Sequence, residues 1–246
     1  MGRRPDRTSR LHMKTPGRSG LAPDDLLISG ARELGIRLGP EQIGAFRLYR
    51  EEILRWSERM NITALTTPAD IVREGLLDSL ACLSLIPNDA QHVLDVGSGA
   101  GFPAIPLAIF RHDLKFTLIE ASRKKVTFLK HIVRSLGLRH VQVWYGRAEE
   151  LAGGPVPIEA YDVALARAVA PLPDQAEMVF PFLRPGGVFL AQAGSGGAVE
   201  DALERLTAVG YEAAGEFQVP LRSGGPGHRV LAYRRRNRPD PGECFT

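Results

Sequence analysis

Long apolar runs and cysteine are both scarce in this chain of 246 residues. No uninterrupted apolar stretch approaches the roughly 20 residues that a membrane-spanning helix requires, so an integral membrane protein is excluded. The two cysteines, Cys82 and Cys244, cannot build a disulfide scaffold or a cysteine-based zinc cluster, and we expect no metal site. Residues 1–20 hold no apolar run of the kind that secretory signals carry, so we expect a cytoplasmic protein with no membrane partner.

Positive charge is concentrated at the two ends. Six cations against one aspartate lie in residues 1–20, and five arginines against two carboxylates lie in residues 229–246. Because the whole chain carries only +3, the body between these ends is net acidic. Basic ends suit a polyanionic partner such as nucleic acid, since each neutralised phosphate releases counterions. Solvated, frayed termini are the alternative that the composition leaves open.

The hydrophobic pattern divides the chain into four segments. Residues 1–20 predict a flexible basic tail, and residues 21–87 show the apolar spacing of a helical extension. Across residues 88–236, short apolar runs alternate with helical stretches, which is typical of a parallel sheet covered by helices on both faces. The last two predicted strands form a closing hairpin, and residues 237–246 form a C-terminal tail. The prediction is an α/β fold.

The most informative motif is Val93-Leu-Asp-Val-Gly-Ser-Gly-Ala-Gly-Phe-Pro103. A strand is predicted to end at Val96, and the chain then turns through Gly97, Gly99 and Gly101. Glycines remove side chains where the backbone must approach a ligand closely. In an open α/β sheet, such a ligand lies at the carboxyl ends of the strands.

The spacing of the glycines indicates the class of ligand. Dinucleotide-binding loops read G-x-G-x-x-G, whereas this loop reads G-x-G-x-G and places Phe102 where the third glycine would stand. A bulky ring leaves poor room for a diphosphate but suits S-adenosylmethionine. We expect Asp95 near the cationic amino-acid end of that cofactor and Glu120 at its ribose hydroxyls. A simple tight turn, with Glu120 as a helix cap, is the alternative.

Two later strand ends supply further candidates. We assign Ala148 and Glu149, which follow the third predicted strand, to the adenine edge of the cofactor. Arg167 ends the fourth strand and faces the same cleft, where it could reach cofactor or substrate. A salt bridge from Arg167 to Glu120 or Glu149 is the structural alternative.

Taken together, the motifs resemble one family closely. They are Asn61-Ile-Thr63, Leu77-Asp-Ser79, the loop 95–106, Ser122–Leu129, Gly146–Glu149 and Ala166–Pro171. In this order they are similar to the bacterial 16S ribosomal RNA guanine-N7 methyltransferases, the glucose-inhibited division protein B family. The resemblance implies a class I methyltransferase fold, Rossmann-like, with a mainly parallel seven-stranded sheet, a C-terminal antiparallel hairpin and an N-terminal helical extension. It also implies methylation of one guanine in the 530 loop region of 16S rRNA.

The resemblance implies a set of cofactor-binding residues, and at a few positions this sequence differs from the family pattern. The cofactor contacts that it implies are Gly97, Phe102, Glu120, Ala148, Glu149 and Arg167. Gly75 stands where the family usually has a histidine, Ala193 precedes Gly194 where the family usually has a lysine, and Ala104 replaces a common glycine. The first two of these departures concern substrate contacts more than cofactor binding.

The chemistry of the target needs few protein groups. Guanine N7 carries an in-plane lone pair and no proton, so positioning can replace a general base. Asn61 and Arg167 are the candidates for a catalytic role, and the segment Asn61-Ile-Thr63 could either cap the cleft or touch the target base. Arg123, Lys124, Lys130 and Arg134 give the helix from Ser122 a basic face for RNA phosphates, with plain solvation as the alternative. The expected partners are 16S rRNA and the 30S subunit, and we expect a monomer.

Three other functions stay open at this point. The same fold serves methyltransferases of small molecules or proteins, and fold alone does not decide the substrate. The missing histidine and lysine make a non-catalytic module that binds S-adenosylmethionine or RNA conceivable. An NAD-dependent oxidoreductase is the most distant alternative, because the glycine spacing disagrees with it.

Overall fold

The structure is a computed structural model that describes residues 21–167, 170–193, 199–219 and 229–237. The α-helices are α1 (Pro23–Glu33), α2 (Pro40–Ser57), α3 (Pro68–Asp70), α4 (Asp78–Ala81), α5 (Ala104–Phe110), α6 (Arg123–Ser135), α7 (Ala148–Leu151), α8 (Leu172–Val179) and α9 (Val199–Val209). A π-helical segment, Ile71–Leu77, joins α3 to α4, and a 3₁₀ turn, Cys82–Leu85, follows α4. The strands are β1 (His92–Val96), β2 (Lys115–Glu120), β3 (Val141–Tyr145), β4 (Tyr161–Arg167), β5 (Leu183–Ala193), β6 (Tyr211–Gln218) and β7 (Arg229–Arg235).

The strands form one seven-stranded sheet in the order β3-β2-β1-β4-β5-β7-β6. The first five strands in this order run parallel, and β7 pairs antiparallel with both β5 and β6. The strand order reverses beside β1, so the carboxyl ends of β1 and β4 border the crevice where ligands of open α/β sheets bind. The predicted mainly parallel sheet with a closing antiparallel hairpin is therefore confirmed.

The predicted N-terminal helices are present and pack on one face of the sheet. Proline at the first position preorganises α1 and α2, and the Thr67 side chain caps α3 by accepting a hydrogen bond from the Asp70 N–H at 3.1 Å. One hydrophobic core runs from Leu27 in α1 through Phe128 in α6 to Ala232 in β7. The extension is therefore part of the same packed body as the sheet, although the predicted division at residue 87 stays a prediction.

A buried carboxylate ties the extension to the sheet domain. Glu52 in α2 accepts hydrogen bonds from Arg55 at 2.7 Å and from the Trp56 indole N–H at 3.2 Å. Its Oε2 also lies 2.8 Å from Nε2 of His131 in α6. Because three donors surround this carboxylate, its burial is compensated by hydrogen bonds. The contact fixes α2 against α6, and α6 begins directly after the end of β2.

Element boundaries differ from prediction mainly at strand ends. The apolar run Gly187–Ala193 predicts a strand, but β5 begins four residues earlier, at Leu183. Leu183 pairs with Tyr161 ahead of a bulge in β5, after which Val188 pairs with Val163. The predicted basic tail 1–20, most of the tail 237–246 and Gly194 lie outside the described residues. Across the residues that the structure describes, no helix combines the length and the apolar character needed to span a bilayer.

Candidate cofactor and substrate cleft

The loop after β1 has the backbone geometry that its glycines predict. Gly97, Gly99 and Gly101 have φ values of 70°, 59° and 98°, in the left-handed region that side chains disfavour. The N–H groups of Gly97 and Ser98 both donate to the Ile119 carbonyl, at 2.8 and 3.1 Å. These bonds hold the loop against the end of β2, so that the following backbone faces the cleft.

The Glu120 carboxylate connects this loop to the next one. Its Oε2 accepts a hydrogen bond from the Gly99 N–H at 2.8 Å, and its Oε1 accepts one from the Ser122 N–H at 2.7 Å. Each carboxylate oxygen keeps a lone pair for a further donor. Glu120 thus binds the backbone of both loops, and it also lines the cleft.

Tyr49 holds the loop from the opposite side. Its hydroxyl, fully buried in α2, donates to the Ala100 carbonyl at 2.6 Å. Its ring lies 5.5 Å from the Phe102 ring, between centroids. The helical extension therefore contacts the glycine loop directly, a relation that the sequence pattern did not reveal.

The loop forms one wall of a cleft of about 730 Å³. All six residues predicted as cofactor contacts line it: Gly97, Phe102, Glu120, Ala148, Glu149 and Arg167. Ala148 and Glu149 open α7, where the first backbone N–H groups have no partner within the helix. The structure thus brings the predicted residues together at the carboxyl edge of the sheet.

Arg167 has a different partner from either one predicted. The salt-bridge alternative named Glu120 or Glu149, but Nη2 of Arg167 lies 3.7 Å from Oδ2 of Asp78, which is buried in α4. Gln192 in β5 donates to the Asp78 carbonyl at 2.7 Å and helps to fix that residue. The Arg167 guanidinium also lies 5.9 Å from the centre of the Phe102 ring. Arg167 is therefore held from the extension side while it lines the cleft.

Two expected residues lie outside the lining. Asp95 is 1% exposed behind the glycine loop and does not border the cleft, because the loop passes in front of the strand end. Burial raises the pKa of Asp95 to about 8, and the nearby Glu120 carboxylate acts in the same direction. Asn61 is exposed and also lies off the cleft, whereas the residues that follow it, Ile62–Leu65, line it. A catalytic role of Asn61 stays a prediction.

The departure at Gly75 has a packing explanation. Gly75 lies in the π-helical segment, and a Cβ atom there would lie 2.6 Å from Cζ of the Phe102 ring. A side chain at position 75 and the observed position of Phe102 therefore exclude each other. Ala193 ends β5, and nothing in the structure explains its replacement of the family's usual lysine.

Several cleft residues were not predicted from the sequence. They are Glu74, Lys125, Arg147 and Met178, among others. Glu74 is half-buried in the π-helical segment, and a π-helical turn changes which side chains share a face. The signal that could have found it is the unusual run Arg73-Glu74-Gly75 within an otherwise apolar helix. Within the described chain, no group of His, Cys, Asp and Glu side chains could hold a metal ion.

Comparison with known proteins identifies the family. The family model described as rRNA small subunit methyltransferase G matches residues 42–213. The chain is 44% identical over 196 residues to ribosomal RNA small subunit methyltransferase G of Deinococcus deserti, covering 78% of this chain and 77% of that protein. The chain belongs to this methyltransferase family. The protein of the same name from Geobacter metallireducens is 35% identical, covering 87% of this chain and 96% of that protein.

Solved structures confirm the class I methyltransferase fold. A SAM-dependent methyltransferase from Aquifex aeolicus matches with a TM-score of 0.56 at 18% identity, over 71% of this chain and 97% of that chain. The [4+2]-cyclase SpnF matches with a TM-score of 0.54 at 20% identity, over 80% of this chain and 97% of that chain. Because the second protein is a cyclase by name, the fold by itself does not fix the chemistry.

S-adenosylmethionine is the cofactor that this family and fold imply, and the cleft residues fit it. The Gly99 N–H, which a phosphate would need, already donates to a carboxylate, so a second anion at this loop would be repelled. The lone pairs left on Glu120 match the donors of a ribose. Ala148 is buried and small, which leaves room for a flat ring at the start of α7. Glu120, Ala148, Glu149 and Arg167 would hold the cofactor.

Replacing Gly75 by alanine tests the packing of Phe102 against the extension. The added Cβ must displace the Phe102 ring, so we expect Gly75→Ala to lower the free energy of unfolding by about 1–3 kcal/mol and to weaken S-adenosylmethionine binding. The double variant Gly75→Ala/Phe102→Leu should lose less free energy of unfolding than the sum of the losses in the two single variants. Chemical denaturation and calorimetric titration measure both effects.

The matched control is Gly44→Ala, in helix α2. Nothing lies within 4 Å of a Cβ at Gly44, so the alanine should stabilise the protein by about 0.4–1 kcal/mol and leave cofactor affinity unchanged. Equal stability of the wild type and the Gly75→Ala variant would contradict the proposed exclusion between residue 75 and Phe102.

The raised pKa of Asp95 predicts a pH-dependent stability of the cofactor-free protein. The folded protein keeps the Asp95 proton up to about pH 8, whereas the unfolded chain releases it near pH 4. The unfolded state therefore binds fewer protons between these values, and stability falls as pH rises through this window. The free energy of unfolding of the Asp95→Asn variant, measured relative to the wild type, should therefore rise by about 2 kcal/mol as the pH goes from 6 to 8.

Denaturation curves at pH 6 and pH 8 measure this difference. Asp113→Asn is the control, because an ion pair with Arg111 holds the pKa of the exposed Asp113 at about 2, well below the tested range. The free energy of unfolding of that variant should change with pH in the same way as that of the wild type between pH 6 and pH 8. If the Asp95→Asn variant also follows the wild type, Asp95 is ionised in the folded protein and its burial does not hold the proton in place.

Proposed function

We propose that this protein transfers the methyl group of S-adenosylmethionine to N7 of a guanine in 16S rRNA, in the 530 loop region of the small ribosomal subunit. The observation that carries the proposal is the cleft itself: the six predicted cofactor residues line one space together with residues of the N-terminal extension. The relatives from Deinococcus deserti and Geobacter metallireducens act, by their names, on ribosomal RNA of the small subunit. We further propose that the protein acts as a monomer, in the cytoplasm, on the 30S subunit.

The cleft residues divide into a cofactor side and a substrate side. Glu120, at the end of β2, is assigned to the ribose, and Glu149, at the start of α7, is assigned to the adenine. Thr63 and Glu74 come from the extension and line the same space from across the cleft. We therefore assign the extension side to the target base. Arg167 lies between the two sides, because β4 supplies it and Asp78 of the extension holds it.

Positioning carries the chemistry in this proposal. S-adenosylmethionine supplies an electrophilic methyl group when it is bound. Guanine N7 attacks with its own lone pair, so the chain needs no general base, and alignment can lower the barrier by roughly 7–11 kcal/mol. The product guanine carries a positive charge. A carboxylate on the substrate side stabilises that charge as it develops, and Glu74 is the cleft carboxylate that the cofactor assignment leaves for this role.

Mapping methylated guanines tests the proposed function. 16S rRNA is compared from cells with and without this gene product, by cleavage at N7-methylguanine or by mass spectrometry of its fragments. The proposal predicts one guanine in the 530 loop region that loses its methyl group without the protein. An unchanged 16S rRNA, together with methyl transfer to a protein or metabolite, would contradict it and favour the alternative substrate class.

Replacing Glu74 by glutamine tests the assignment of the substrate side. We expect Glu74→Gln to lower kcat on 30S subunits about tenfold, equivalent to ~1.4 kcal/mol of transition-state stabilisation, because a charged neighbour of the product cation is lost. Binding of S-adenosylmethionine should be unchanged. Glu51→Gln, an exposed change on α2, is the control and should keep full activity. An unchanged kcat of the Glu74→Gln variant, or a loss confined to cofactor affinity, would remove Glu74 from this role.

A further inference from the structure

Tyr145 is an exposed aromatic side chain at the rim of the cleft. It ends β3, the strand at the outer edge of the sheet, and 46% of its surface is exposed. It does not line the cleft, although the residues that follow it, from Gly146 to Glu149, do. Neither the cofactor assignment nor the packing of the core therefore accounts for an aromatic ring at this position.

The Tyr145 ring is covered on one side by an arginine. The Arg123 guanidinium carbon lies 5.0 Å from the ring centre. In the part of the chain that the structure describes, arginine also stacks on Phe102 and on Phe180, but neither of those rings is exposed to the same degree. An exposed ring backed by a guanidinium plane is the kind of surface on which an unpaired nucleic-acid base stacks.

The charge around this ring favours a polyanion. Arg123, Lys124 and Lys125 are consecutive, and the first turn of α6 holds no acidic residue. Arg147 lies two residues beyond Tyr145, and both Lys125 and Arg147 also line the cleft. The nearest carboxylate, Glu120, accepts hydrogen bonds from the Gly99 and Ser122 N–H groups, and Glu149 and Glu150 follow on α7. Four cations thus connect the ring to the cleft, which suits a phosphate backbone that runs between them.

The position of the ring separates it from the methylated base. Tyr145 is the strand partner of Glu120, one strand spacing away, roughly 4.8 Å. Arg167 lies on β4, three strands along in the order β3-β2-β1-β4, roughly 14 Å from β3. A base stacked on Tyr145 is therefore a different nucleotide from the one that reacts near Arg167.

We propose that Arg123 and Tyr145 form a stacking platform that binds an unpaired base of the RNA substrate, on the adenine side of the cleft and away from the target guanine. The proposal rests on the proposed function, because it names a second contact of the same RNA. The platform gives affinity and register, and it takes no part in methyl transfer itself. Stacking on an aromatic ring does not depend strongly on base identity, so the platform selects unpaired structure more than sequence.

Replacing Tyr145 by alanine tests the platform. We expect Tyr145→Ala to raise the KM for 30S subunits, and the Kd for unmodified naked 16S rRNA, by roughly fivefold to a hundredfold. The kcat at saturating subunits and the affinity for S-adenosylhomocysteine should stay within about twofold. Tyr145→Phe should behave as the wild type, because the ring is retained. Arg123→Lys should lose affinity, since it keeps the charge and removes the plane.

Two comparisons make the test specific. Arg139→Ala removes an exposed cation just before the opposite end of β3 and should leave RNA affinity unchanged. The salt dependence separates stacking from charge, because only ionic contacts change the slope of log K against the logarithm of salt concentration. Tyr145→Ala should weaken binding at every salt concentration with an unchanged slope. A changed slope, or an affinity for RNA equal to that of the wild type, would overturn the platform.

The outcomes also distinguish the platform from the proposed function. If the wild type methylates 16S rRNA and the Tyr145→Ala variant does so with an unchanged KM, the platform is wrong and the function stands. If the Tyr145→Ala variant loses affinity for 30S subunits but binds naked 16S rRNA as tightly as the wild type, Tyr145 contacts a ribosomal protein. The platform is then likewise wrong. If the wild type neither binds nor methylates 16S rRNA, the proposed function fails first.

Discussion

The cleft depends on one carboxylate that serves two loops. The Glu120 carboxylate accepts hydrogen bonds from the Gly99 and Ser122 N–H groups. It therefore fixes the glycine loop after β1 relative to the start of α6. Three residues of the loop have left-handed φ values, and backbone hydrogen bonds from Gly97 and Ser98 to Ile119 hold its first residues against β2. With Glu120 on one side and the Tyr49 hydroxyl on the other, it becomes a rigid wall. A rigid wall is what a positioning mechanism needs.

The N-terminal extension is a structural part of the site. Tyr49 holds the glycine loop, Gly75 gives Phe102 its place, and Asp78 holds Arg167. These three residues come from three separate segments, yet each contacts a residue that lines the cleft. Loss of the extension would therefore disturb the glycine loop as well as the opposite side of the cleft.

The sequence predicted the sheet and six residues that line the cleft, because both follow from local patterns, while their contacts with the cofactor stay a prediction. A strand followed by glycines, and an acid at the next strand end, determine where Gly97 and Glu120 must lie once the strands are parallel. The positions of Glu74 and Gly75 beside the cleft could not be predicted, since a π-helical segment shifts which side chains face it. The Asp78 partner of Arg167 is distant in sequence, and only tertiary packing reveals it. Asp95, which was expected near the ligand, is buried and does not border the cleft.

Calorimetric titration of the wild type and the Glu120→Gln variant with S-adenosylhomocysteine tests the central claim most directly. An amide has one acceptor oxygen, so the variant must leave either the Gly99 or the Ser122 N–H without its partner, and it also offers less to a ribose. We predict saturable binding by the wild type and at least tenfold weaker binding by the variant. Equal affinities would show that the Glu120 carboxylate does not organise the cleft, and would contradict its central role in the cofactor site.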